Sequence, residues 1–190
     1  KKLILITLIG VSIMSSNPKE VVGVISTNKG DIILEFYPDI APKHVESFMT
    51  HAENGYYDGT TFHRVIPEFM IQGGDPTGTG YGGPGYTILD EFDPLTSNVQ
   101  GTIAMANAGP NTGGSQFFIN LVNNTYLDPN HPVFGEVITN FSVVESIGIV
   151  PTNASDRPLT DVIMDSVRVT FKGPYVGINE EHNKALNISI

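Results

Sequence analysis

Apolar residues fall in short runs along this chain, and two periods organise them. Positions 21–27 and 31–36 read as β-strands. The second partly alternates through Asp31-Ile32-Ile33-Leu34-Glu35-Phe36, as a half-buried strand should, and Asn28-Lys29-Gly30 between them is a hairpin turn signal. The period changes at 41–54, where Val45, Phe48, Met49 and Ala52 recur at helical spacing and are expected to face the core. Pro42 suits the first turn of that helix and Gly55 suits its C-terminal stop. Further short strands are expected at 61–66, 69–72, 102–106, 116–120, 133–138 and 162–171, with a second, short helix at 141–147 and a glycine-rich loop at 73–85. Many short strands joined by turns, two helices, no internal repeat and no second apolar set point to one largely antiparallel barrel or sandwich.

The two ends differ from this pattern. Lys1 and Lys2 precede an apolar run of twelve residues, 3–14, and then Ser15-Ser16-Asn17-Pro18. A charged start, a short apolar run and small polar residues form an export signal, and the run is shorter than the ~20 residues of a membrane span. The expected organisation is a signal-like segment at 1–16, one domain at 17–172 and a polar tail without periodicity at 173–190. The protein is then exported, as a periplasmic, secreted or N-terminally anchored form. A cytoplasmic protein with a buried N-terminal strand or helix is the alternative. A chain of 190 residues suits a single core. Its net charge of -10 makes the surface repel phosphates, which argues against nucleic acid as a partner. The absence of cysteine excludes disulfides, thiol catalysis and thiolate metal sites.

Several motif readings fail on chemistry. Gly78-Thr79-Gly80-Tyr81-Gly82-Gly83 matches G-x-G-x-x-G, but Pro84-Gly85 follows where a phosphate site needs a helix N-terminus. His44 and His51 are seven apart on the expected helix, not at the i, i+4 spacing of a helical metal pair. Gly114-Ser115-Gln116 lacks the second glycine of a nucleophile elbow. Neither a metal nor a cofactor is expected. Three other segments concentrate polar groups among apolar ones: Phe62-His63-Arg64 through Phe69-Met70-Ile71-Gln72-Gly73-Gly74-Asp75; Gly101 through Ala106-Asn107 to Gln116-Phe117-Phe118-Ile119; and Tyr126-Leu127-Asp128-Pro129-Asn130-His131-Pro132-Val133-Phe134-Gly135. Read alone, Arg64 and Gln72 are ordinary polar residues on strands, and Phe69 and Met70 are core.

Together, in this order and spacing, the three segments resemble the cyclophilins, and the resemblance runs from about residue 21 to 171. It implies an eight-stranded antiparallel closed barrel capped by two α-helices, with a peptide groove on its outer face, and the activity of a peptidyl-prolyl cis/trans isomerase. It implies that Arg64 is the catalytic arginine with Gln72 beside it. Phe69, Met70, Phe118, Leu127 and His131 would form the pocket for proline, and Ala106, Asn107 and Gln116 the wall for the residues before it. The partners implied are proline-containing polypeptides. Tyr126 stands where many eukaryotic members have tryptophan, so weaker binding of cyclosporin is expected. A monomer is expected. A proline-peptide binding module or holdase with little turnover is the alternative function; the intact arginine and pocket set favours the enzyme.

Overall fold

The computed structural model describes residues 20–172. The signal-like segment 1–16 and the tail 173–190 lie outside the described residues. Strand β1 (Glu20–Thr27) folds back on β2 (Gly30–Phe36) through a two-residue turn, in register from Val21↔Phe36 to Thr27↔Gly30. Gly30 takes φ +124°, a conformation few side chains tolerate, which is why glycine closes this hairpin. Helix α1 (Pro42–Glu53) buries Val45, Phe48 and Ala52 as the spacing predicts, with Met49 half-buried; His44, Ser47 and His51 are buried on it as well. It stops at Gly55, whose φ of +67° is the left-handed conformation that ends helices.

The remaining elements are β3 (Arg64–Ile66), β4 (Met70–Gly73), β5 (Thr102–Met105), β6 (Phe117–Asn120), β7 (Val133–Thr139), helix α2 (Phe141–Gly148) and β8 (Met164–Lys172). All ladders are antiparallel, in the order β3-β4-β6-β5-β7-β2-β1-β8. Eight strands and two helices are as expected, but the barrel is a curled sheet closed less fully than anticipated. β3 and β8 share no ladder. The seam is stitched ahead of them by one bridge, Thr61↔Ile163, and by Phe62 N–H to Val162 O (2.9 Å) and Met164 N–H to Thr60 O (2.8 Å). The physical reason is the shortness of β3. Pro67 and Glu68 turn the chain after three residues, and the free Val65 N–H bonds to Asp156 O (2.8 Å) in the loop before β8. Residues 61–63, expected in this strand, run outside it.

Successive side chains on a strand point to opposite faces, so the apolar runs of the central strands are buried twice over. Ile71, Ile103, Met105, Phe117, Ile119 and Phe134 face the interior, where Phe48 of α1 meets Phe36, Tyr57, Phe117 and Phe134 at ring separations of 5.0–5.9 Å. Their neighbours Met70, Ala104, Phe118 and Val133 form a separate apolar cluster on the opposite face of the sheet. That second cluster positions the functional site.

Candidate active site

The register of four ladders places one residue from each of five strands in a single row: Arg64↔Gln72↔Phe118↔Ala104↔Val133. Adjacent strands lie ~4.8 Å apart, so the arginine stands about two strand spacings from the phenylalanine on the same outer face. Arg64 is exposed. Its Nε donates to Asp156 Oδ2 at 3.4 Å, and neither terminal nitrogen has a hydrogen-bond partner among the described residues. Asp156 sits at φ +61° in the loop that also accepts the Val65 N–H, so the same loop holds both the strand and its arginine.

The floor of the apolar cluster is Met70, Ala104, Phe118 and Val133, all nearly fully buried, and Phe69, Ala106 and Leu127 pack on it half-buried. Phe69 reaches this rim because the β3–β4 hairpin turns tightly through Pro67-Glu68, with Phe69 N–H bonded to Ile66 O at 3.1 Å and Glu68 at φ +56°. His131 closes another side. Its ring meets Phe118 edge-on (5.4 Å, 83°), and its Nδ1 donates to Met105 O at 3.0 Å, which fixes the ring plane and leaves Nε2 as the second nitrogen. Tyr126, in a single 3-10 turn (Thr125–Leu127), is exposed and lies parallel to Phe69 at 6.4 Å.

A groove of about 570 Å³ adjoins this pocket, lined among others by Gln72, Gly82, Tyr86, Ala106, Asn107 and Gln116. Ala106 N–H bonds to Gln116 O at 3.0 Å, just past the paired ends of β5 and β6. The Asn107 side chain is tied back to Asn130 O at 2.7 Å, and its main chain has no hydrogen-bond partner among the described residues, so it is open to an extended peptide. Gln72 Nε2 donates to Gln116 Oε1 at 2.9 Å. All eleven residues expected at the site therefore meet on one face. Phe69 and Met70, which read as core by themselves, lie on the outer side of the sheet, Met70 buried there and Phe69 half-buried.

Several residues that hold the site were missed. Asp156 orients Arg64 from ninety-two positions away. A network of buried Asn98, Asn120 and Asn124 with the half-buried Asp128 pins the segment carrying Tyr126, Leu127 and His131. Asp128 accepts from Ser97 Oγ and from Asn98 N and Nδ2; Asn98 Nδ2 also reaches His131 O; Asn124 Nδ2 donates to Phe69 O and to Asn120 Oδ1. Burial acts to raise the Asp128 carboxyl, but the bonds from Asn98 and Ser97 outweigh it and hold the group below the ordinary carboxylate range. Isolated asparagines in loops carry no periodic signal. Asp75 had one: a carboxylate opening a Gly- and Thr-rich loop is an Asx-turn pattern.

An exposed arginine thus stands in line with an outer-face apolar cluster, and a groove adjoins them. The family described as cyclophilin type peptidyl-prolyl cis-trans isomerase/CLD matches residues 22–169. A protein of Staphylococcus haemolyticus named "Putative peptidyl-prolyl cis-trans isomerase" is 45% identical, across 77% of this chain and 89% of its own length. One of the same name from Staphylococcus aureus is 44% identical, across 79% and 92%. A crystal structure of a Cryptosporidium parvum cyclophilin type peptidyl-prolyl cis-trans isomerase superposes with a TM-score of 0.78 at 34% identity, covering 82% of this chain and 99% of that one. A second, in the presence of the dipeptide Ala-Pro, superposes with a TM-score of 0.76 at 35% identity, covering 78% and 98%. The chain belongs to the cyclophilin-type peptidyl-prolyl cis-trans isomerases.

Proposed function

We propose that this protein accelerates rotation about X–Pro bonds in polypeptides with Arg64 as the transition-state donor and the Met70–Phe118 cluster as the proline pocket. The observation that supports this is the cross-strand row, in which Arg64 and Gln72 are in line with the buried apolar residues Phe118 and Ala104. The barrier to rotation is about 18–20 kcal/mol, because resonance stiffens the C–N bond. On twisting, the proline nitrogen becomes pyramidal and gains a lone pair that neither planar isomer has. A donor at that nitrogen favours the twisted state over both ground states, which is the requirement for catalysis. Arginine suits the role because it stays charged and its donors are fixed in a plane.

One such donor contributes about 2.7–4 kcal/mol by analogy with oxyanion-hole deletions. Reducing tens of seconds to milliseconds takes four to five decades, roughly 6 kcal/mol. Arg64 supplies about half on that scale. Positioning by Phe69, Phe118, Leu127 and His131, and the exclusion of water from their cluster, supply the rest. No bond is broken, so the residues present suffice for the step. Ala106, Asn107 and Gln116 hold the residues preceding proline, and Tyr126 makes cyclosporin a weak ligand.

The test is cis/trans exchange in a proline tetrapeptide, followed by protease coupling. Wild-type protein should catalyse it, and Arg64→Ala should lose about 10²- to 10³-fold in kcat/KM. Equal values for the two proteins would remove Arg64 from the mechanism.

A further inference from the structure

Gln116 Nε2 donates to two main-chain carbonyls, Gly80 O at 3.0 Å and Gly82 O at 2.8 Å. Carbonyl oxygens only accept, so the amide has one orientation: nitrogen toward the loop, oxygen toward Gln72. Gln72 Nε2 donates to that oxygen at 2.9 Å. The Gln72 nitrogen is thereby turned toward Gln116, and its Oε1 becomes an acceptor on the strand opposite Arg64, its partner in the β3–β4 register. Directly paired residues on antiparallel strands have Cβ atoms about 4.5–5.5 Å apart, so an acceptor on Gln72 is within reach of a terminal guanidinium donor of Arg64. A reversed amide would set N–H against N–H.

What holds the two carbonyls in place is Asp75, fully buried directly after Gly73-Gly74. Its Oδ1 accepts from Thr77 N (2.7 Å) and Thr77 Oγ1 (2.8 Å). Its Oδ2 accepts from Thr79 N (3.0 Å), Gly80 N (2.6 Å) and Gly82 N (3.1 Å). The glycines whose carbonyls hold Gln116 are therefore the ones whose N–H groups hold Asp75. Gly82 admits no side chain there, because a Cβ would fall 2.0 Å from Asp75 Oδ1. Arg157 Nη1 ties the other side of the loop through Gly78 O at 2.8 Å. Burial acts to raise the Asp75 carboxyl, but the bonds from Thr77, Gly82 and Gly80 overcome it and hold the group at about 2, so the carboxylate stays charged throughout the neutral range.

We infer that Asp75 is a positioning residue for the isomerase reaction: through the carbonyls of Gly80 and Gly82 it sets the direction of the Gln116–Gln72 amide relay and presents Gln72 Oε1 to Arg64. Asparagine cannot replace it, since one of its terminal groups is a donor facing N–H donors. This rests on Arg64 being the transition-state donor.

The experiment is a double-mutant cycle in kcat/KM on the proline tetrapeptide, with Asp75→Asn, Gln72→Ala and the pair, run beside Arg64→Ala. Asp75→Asn should lose about tenfold in the wild-type background and less than about twofold in the Gln72→Ala background, because its effect passes through Gln72. The Gln72 and Gln116 side-chain amide NMR signals should shift while the backbone amides of β5 and β6 stay in place. A role confined to stability or loop shape would lower both backgrounds equally, and that result, or no loss at all, overturns the inference. Should Asp75→Asn not fold, Gly82→Ala, which drives the loop off an intact Asp75, is read by the same cycle with the same outcomes. If Arg64→Ala keeps full activity, the reading of the reaction fails; if Arg64→Ala is crippled but the cycle is additive, only the inference fails.

Discussion

Arg64 presents its Nε to Asp156, and its terminal nitrogens have no hydrogen-bond partner among the described residues. Both partners are about half exposed, so the pair contributes little to stability; its effect is to limit where the guanidinium points. Tyr126 stands where the family resemblance implies tryptophan in many eukaryotic members. It packs parallel to Phe69 with its outer edge in solvent, so a larger ring fits without disturbing the floor. Tyr126→Trp should tighten cyclosporin binding by about tenfold, on the order of 1.4 kcal/mol, while leaving tetrapeptide turnover within about twofold. Calorimetric titration reads the first and the coupled assay the second; unchanged affinity would separate Tyr126 from the ligand surface. At this scale residue type alone was a poor guide. Arg64 and Gln72 are polar residues on strands like many others, and only the register, which no single segment encodes, sets them in line with Phe118.

Helix α1 shows how a distant residue completes an element. Its N-cap, Ala41, offers no side-chain acceptor, and Glu91 supplies one from the long segment between β4 and β5. One oxygen accepts from Lys43 N (2.9 Å), His44 N (3.2 Å) and the buried His44 Nδ1 (2.9 Å). Glu91→Ala should cost about 1–2 kcal/mol, the range for losing a cap, and lower Tm by roughly 2–8 °C. Thermal melts of the two proteins measure this, and an unchanged Tm would show that water replaces the carboxylate fully. The elements themselves were legible. The α1 face, the first hairpin and the β8 strand follow from periodicity and turn residues, with ends off by a residue or two. What was not legible is what joins them. The Glu91 cap spans forty-eight positions, the Asp156 contact spans ninety-two, and the polar network under Tyr126 is built from asparagines that look like loop residues. The continuous apolar runs of β4 to β6 also hid which side faced the core, because both sides are buried.

For the whole molecule, two buried histidines couple stability to acid. Burial lowers His51 below its ordinary value of 6.5, opposed by a hydrogen bond to the main chain of Ser47. Burial also lowers His63, opposed by Asp75 and Thr61 and assisted by Arg157 and Arg64. In both cases the unfolded chain binds the proton more readily, so stability rises with pH below and through ~6.5 and is lost on acidification. Urea midpoints should fall between about pH 7.5 and about pH 5.5. His51→Gln should flatten that slope, and a midpoint independent of pH would contradict the account. On the mechanism proposed for Arg64 the site favours the twisted amide and does more than grip proline. NMR exchange spectroscopy on a saturating proline peptide tests it most directly, by reading affinity and on-enzyme interconversion separately. Arg64→Ala should keep Kd within about fivefold while on-enzyme exchange slows by about 10²- to 10³-fold. On-enzyme exchange unchanged by Arg64→Ala at equal occupancy would contradict it.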